Sequence, residues 1–97
     1  MRVIARRTLR EYGERVPEAK AQLDAWFHEA MAAGWKTPAD IKEQYASASI
    51  LKGGRVVFNI AGNKFRLVVG INYELGIVFI KFIGTHAEYD RINAEEV

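Results

Sequence analysis

A chain of 97 residues, of which 49% are hydrophobic, is long enough for one domain and for a core that needs no covalent staples. It contains no cysteine, which excludes disulfides, thiolate catalysis and Cys-based zinc sites together. A formal net charge of +2 is too small to argue by itself for a polyanionic partner, so the distribution of charge has to carry that question.

The distribution is uneven. Arg2, Arg6, Arg7 and Arg10 crowd the amino end, and Lys52, Arg55, Lys64, Arg66 and Lys81 stud the second half against Glu74. Glu88, Asp90, Glu95 and Glu96 stand against Arg91 in the tail. The opening residues Met-Arg-Val-Ile-Ala-Arg-Arg lack the apolar stretch of a secretory signal, and no run approaches a membrane span. The expectation is a soluble, cytoplasmic protein with no membrane partner.

In chain order, Arg2 to Ala5 reads as an amino-terminal edge strand. Thr8, with Glu11 three residues later, has the spacing of a capping box and predicts a short helix from Leu9 to about Glu14. Pro17 suits the first turn of a second helix, in which Leu23, Trp26, Phe27, Ala30 and Met31 recur as one apolar stripe, with Gly34 closing it as the C′ residue. Trp26 and Phe27 are expected to pack on a sheet, and His28 to lie at the boundary of the stripe. Thr37-Pro38-Ala39-Asp40 starts a third helix: a threonine N-cap, proline at the first position and an acid in the first turn. It is short, to about Gln44, and a connection through Ser49 leads into Ile50-Leu51 and the Gly53-Gly54 turn.

The stretch from Arg55 to Ile83 holds three β-branched and aromatic runs, broken at Ala61-Gly62-Asn63 and Glu74-Leu75-Gly76. This is the pattern of a three-stranded antiparallel meander. Alternation puts Val56, Phe58 and Ile60 on one face with Phe65, Leu67, Val69, Ile71 and Tyr73. Arg55, Val57 and Asn59 share the other face with Lys64, Arg66, Val68 and Gly70, so polar groups gather near the first turn. The face of Lys81 depends on register. Gly84 is expected to break the last strand, Thr85 to cap one helical turn carrying His86, Tyr89 and Asp90 on one side, and the polar end to fray.

Together, Asn59, Lys64, Arg66, His86 and Tyr89 offer what RNA cleavage by ribose 2′-hydroxyl attack needs without a metal or other cofactor. Arg66 would clamp the scissile phosphate, Lys64 would support the same charge, and His86 would move a proton near neutral pH. Tyr89 would stack on or hydrogen-bond to a nucleotide, and Asn59 would orient one. Arg55, Lys81 and Arg91 extend the cationic set as candidate RNA contacts. The alternative is a non-catalytic module that binds RNA or protein through the same face.

Four blocks, Thr37-Pro38-Ala39-Asp40-Ile41-Lys42, Arg55 to Ile60, Gly62 to Val69 and Phe82 to Asp90, in this order and spacing, resemble the HigB-type toxins of bacterial type II toxin–antitoxin modules. The resemblance spans nearly the whole chain. It implies one α+β domain over residues 1–97 with a RelE-like fold: amino-terminal helices packed on one face of a twisted antiparallel sheet, with a short carboxyl-terminal helical turn. It further implies messenger RNA cleavage, commonly on the translating ribosome, and neutralisation by a HigA-type helix-turn-helix antitoxin. Operator DNA would be bound only through the toxin–antitoxin complex. Arg66 matches the family's strand arginine, and His86 with Tyr89 falls in its carboxyl-terminal catalytic region.

Overall fold

The computed structural model describes residues 1–97. Strand β1 (Arg2–Ile4) is followed by helices α1 (Arg6–Arg15), α2 (Pro17–Ala32) and α3 (Pro38–Gln44), then β2 (Ser49–Ile50), a 3-10 turn at Lys52–Gly54, the meander β3 (Arg55–Ile60), β4 (Phe65–Asn72) and β5 (Ile77–Thr85), and α4 (His86–Tyr89). The five strands form one sheet in the order β1-β5-β4-β3-β2. The meander is antiparallel and β2 adds antiparallel to β3, but β1 joins β5 in parallel, so the sheet is mixed. The parallel edge arises because α1 to α3 lie between β1 and the rest of the sheet, a connection long enough for a crossover.

Alternation sorts the meander as its sequence predicts. Val56, Phe58, Ile60, Phe65, Leu67, Val69 and Ile71 face the helices in one core with Leu9, Leu23, Trp26, Phe27 and Ala30. Phe58 stands at its centre, edge-on to Trp26 and Tyr45 and stacked near Trp35, with ring centroids 5.3, 5.1 and 6.0 Å away. Met31 is the exception in the α2 stripe: it is 52% exposed, past the edge of the face that meets the sheet.

Helix ends follow local chemistry with two departures. Thr37 and Asp40 form a full capping box at the start of α3, as the Thr-Pro-Ala-Asp motif requires. Thr8, by contrast, caps nothing. The chain turns straight from β1 into α1 through Ala5 in the left-handed region (φ 70°), so Thr8 lies inside the helix, its N–H donating to the Ala5 carbonyl at 3.0 Å. Glu11 pairs with Arg7 instead. At the end of α2, Gly34 follows the C-cap Ala33 but does not take a left-handed conformation. The amino group of Met1 donates there to the carbonyls of Ala30, Met31 and Ala33, satisfying acceptors that a glycine cap would otherwise meet.

On the second face the apolar row Val57–Val68–Phe82 is covered by Tyr89, Ile92, Ala94 and Val97. The carboxyl-terminal residues expected to fray are therefore packed, because this face carries apolar side chains that need a cover. Gly84 likewise does not end β5; it pairs across from Arg66, and the strand runs on to Thr85. No helix is long and apolar enough to cross a membrane.

Candidate active site

Three rows of side chains cross the second face of the sheet. The first is Asn59–Arg66–Gly84, the second the apolar row Val57–Val68–Phe82, and the third Arg55–Gly70–Phe79. Four residues along β4 separate Arg66 from Gly70, about 13 Å. The cations of this face thus fall into two groups with an apolar saddle between them.

Arg66 leads the first group. It is half-buried, and its Nη1 donates to the carbonyls of Asn63 and Phe65 at 3.2 and 3.3 Å, which ties the guanidinium to the β3–β4 turn. Asn59, one strand over, sits beside the α3–β2 connection, with Nδ2 donating to the Ser47 carbonyl at 3.5 Å. His86 follows Gly84 by two residues, and its main-chain N–H donates to the Lys64 carbonyl at 3.1 Å, closing the start of α4 onto the same turn. Arg66 and His86 are therefore brought to one corner by two independent links, the strand pairing and this bond.

Helix α4 is a single turn that depends on its cap. Thr85 accepts from the Glu88 N–H at 3.1 Å while Glu88 accepts from the Thr85 N–H at 2.7 Å. The main-chain and hydroxyl hydrogen bonds from Thr85 hold the Glu88 carboxyl below its usual range, although the group is fully exposed. A depressed acid stabilises the fold above the ordinary value, 4.5, and that contribution is lost as pH falls through the lowered folded value. The Thr85 amide resonance is thus expected to titrate with an apparent pKa beneath 4.5, and Glu88→Gln to abolish that titration; a midpoint at the ordinary glutamate value would contradict the cap.

The turn places His86 at the surface, with 52% of its side chain exposed, and its Nδ1 3.1 Å from Asp90 Oδ2. The contact occupies Nδ1 and leaves Nε2 as the nitrogen available for proton transfer. Asp90 was visible in the sequence only as a helical neighbour of His86. Tyr89 is half-buried against the Val57–Val68 row, so its ring is part of the small second core.

Lys64 departs from the face that alternation assigned it. It belongs to the turn before β4, where the period of two does not hold, and its ammonium lies 3.4 Å from Glu18 at the start of α2. Both side chains are more than 60% exposed, so this pair is worth no more than about 1 kcal/mol.

Arg55 and Lys81 form the second group. The register is interrupted between Val68 and Val69, and this bulge brings Lys81 to the face of Arg55 and Gly70. A Cβ at Gly70 would stand 3.0 Å from the Arg55 guanidinium and 3.3 Å from the Lys81 stem, so the absent side chain is what lets both cross the strand. Lys81 is exposed, with its ammonium 5.6 Å from the Phe79 ring centre. Arg55 is engaged by the chain itself: Nη2 donates to the main-chain oxygen of Val97 at 2.6 Å. Arg91 is exposed just beyond α4.

A family model described as the RelE-like toxic component of a toxin–antitoxin system matches residues 19–92, which include β2 to β5, α3 and α4. The chain belongs to the HigB toxin family. Similar proteins include an mRNA interferase toxin HigB of Escherichia coli K12, 29% identical over 97% of this chain and 92% of that protein. An mRNA interferase HigB of Escherichia coli O6:H1 is 23% identical over 95% and 91%. Of the four blocks that carry the resemblance, three lie around this corner, on β3, on the β3–β4 turn with β4, and at the end of β5 with α4, and the fourth opens α3.

Proposed function

We propose that this HigB-family chain is the toxin of a type II module and a metal-independent endoribonuclease acting on messenger RNA at the translating ribosome. A HigA-type antitoxin would neutralise it and bind operator DNA in complex with it. The observation that carries the reading is the convergence of Arg66 and His86 at one open end of the sheet, beside Asn59. That similar proteins are mRNA interferases supports the same chemistry.

In that reaction a ribose 2′-hydroxyl loses its proton and its oxygen attacks the adjacent phosphorus; the 5′-oxygen leaves and takes up a proton. Products are a 2′,3′-cyclic phosphate and a 5′-hydroxyl. The Arg66 guanidinium stabilises the extra negative charge on the phosphoryl oxygens, since its planar fork matches two of them. His86 moves a proton through Nε2, with Asp90 placing a negative charge against the other nitrogen. Asn59 orients the chain next to the scissile phosphate, and Tyr89 borders it with an aromatic edge. Lys64, exposed and only weakly held by Glu18, adds charge at the rim; Lys81, Arg55 and Arg91 lie further along the path of the RNA.

The test is to incubate the purified protein with translating ribosomes and map the 5′ ends of the message. New 5′-hydroxyl ends at codon-related positions are expected, and their absence would sink the reading in favour of binding without cleavage. His86→Ala is expected to slow the appearance of these ends by about 10²–10⁴-fold, the usual worth of positioned proton transfer. Asp90→Asn, which keeps the size but removes the charge, should cost less than His86→Ala but remain measurable.

A further inference from the structure

The second pair of cations is left short of acceptors by its own surroundings. The bulge between Val68 and Val69 and the missing side chain of Gly70 bring Arg55 and Lys81 together over one strand, and no carboxylate pairs with either. A guanidinium carries five N–H donors. Yet the one acceptor Arg55 meets is the main-chain oxygen of Val97, 2.6 Å from Nη2, while its Nε is buried with no partner. A buried donor left unmade is costly, so the pair is matched better by a group with several anionic oxygens than by the single oxygen that fills it.

The segment that supplies this oxygen, residues 93–97, is held thinly. Ala94 is its one buried residue, seated with Val97 on the Val57–Val68–Phe82 row. Besides the Arg55 contact, its one hydrogen bond to the body of the protein runs from the Lys52 N–H to Glu95 Oε2, at 3.3 Å. The N–H groups of Glu95, Glu96 and Val97 all donate to Asn93, so the segment keeps its own bonds whether or not it lies on the sheet. Lifted off, it would uncover an apolar row with cations at both ends, Arg66 on one side and Arg55 with Lys81 about 13 Å away on the other. Such a surface suits a single nucleic acid strand, with base faces on the apolar saddle and phosphates at its ends; a duplex would keep its bases stacked out of reach.

We propose that residues 93–97 are a displaceable strap: in the free chain the Val97 oxygen occupies a phosphate subsite built by Arg55 and Lys81 across Gly70, and single-stranded RNA entering at the Arg66 corner takes its place. This rests on the reading of the second face as the RNA-binding face. The strap keeps Val57 and Val68 from water until a strand covers them, and it makes occupation of the subsite depend on a strand long enough to reach from one cation group to the other.

The test uses the full chain and a short single-stranded 2′-O-methyl oligoribonucleotide, which cannot be cut by 2′-hydroxyl attack. At saturation, the backbone order parameters of Ala94 to Val97 are expected to fall from about 0.85 to below about 0.6, while those of Phe58 and Leu67 stay put. Ala94→Asp, which sets a charge on the apolar row and frees the strap, should tighten binding about threefold or more, because the competent state no longer has to be selected. Adding Gly70→Ala, whose Cβ crowds both cations, should cancel that gain and lower the slope of log affinity against log salt by about 0.7, one phosphate contact. A strap that stays ordered with the oligonucleotide bound, or an oligonucleotide that does not bind at all, would overturn the proposal. So would Ala94→Asp binding no tighter in a chain that melts normally, or a gain that survives Gly70→Ala. Should Ala94→Asp lower the melting temperature, the order parameters of the unaltered chain decide. The two readings fail separately: release of the strap without new message ends on ribosomes refutes cleavage and keeps the strap, and new ends made while the strap stays ordered on the bound oligonucleotide do the reverse.

Discussion

Arg66→Ala is expected to lower the rate of message cleavage by about 10²–10³-fold, the range found when one preorganised donor to a developing oxyanion is removed. Thermal unfolding should be almost unaffected. The guanidinium is half-buried and donates to the carbonyl of Asn63, in the exposed β3–β4 turn where water can replace it, and to that of Phe65 at the start of β4, two contacts of 3.2 and 3.3 Å at the margin of the sheet. The comparison that isolates its role is Arg66→Lys. A lysine keeps the charge but loses the fork, so partial activity would indicate electrostatic stabilisation and near-complete loss would indicate bidentate recognition. A folded Arg66→Ala protein that stays fully active would remove Arg66 from the chemistry.

Phe58→Ala is expected to cost about 3–5 kcal/mol, the range for truncating a buried aromatic. Phe58 is 1% exposed and is the meeting point of Trp26 in α2, Trp35 in the α2–α3 connection and Tyr45 just after α3, so three segments of the helical layer lose a shared contact at once. Against a total stability of about 5–15 kcal/mol for a domain of this kind, that is a large fraction. The melting temperature should fall by roughly 12 °C or more. Phe58→Leu, which refills most of the volume, should recover more than half of the loss; equal melting of the two variants would mean that the aromatic cluster is not what holds the helices to the sheet.

These two substitutions act on opposite faces of one meander, and the division between them was readable in the residues. Arg55 to Ile83 alternates strictly enough that Val56, Phe58 and Ile60 had to face away from Arg55, Val57 and Asn59 in any folded sheet. Most of the α2 stripe and the Thr37–Asp40 start were legible, because each depends on side chains three or four positions apart, and Thr85 was legible as a cap although its partner Glu88 was not. Of the candidate site, Arg66 on its strand and His86 beyond the last one could be named from the sequence as proposed catalytic groups, and the fold brings their two segments to one corner through the Arg66–Gly84 pairing and the His86 N–H to Lys64 bond.

Alternation failed where its period was interrupted. Lys64 lies in a turn and faces Glu18, Lys81 lies at a bulge, and neither position follows from counting residues. Thr8 had every local mark of a cap, but the sharp turn at Ala5 started α1 earlier and buried that signal inside the helix.

The sequence by itself determined the elements, the identity of the main core and the kinds of side chain available for chemistry, since all of these rest on spacings within one turn or one strand. Only the tertiary structure decided that β1 enters in parallel, that the carboxyl-terminal residues cover the second face and hold Arg55, and that the amino-terminal cations line a cleft of their own. The reason is one of range: each of these outcomes is a contact between residues tens of positions apart, set by which surfaces still need burial once the local structure has formed.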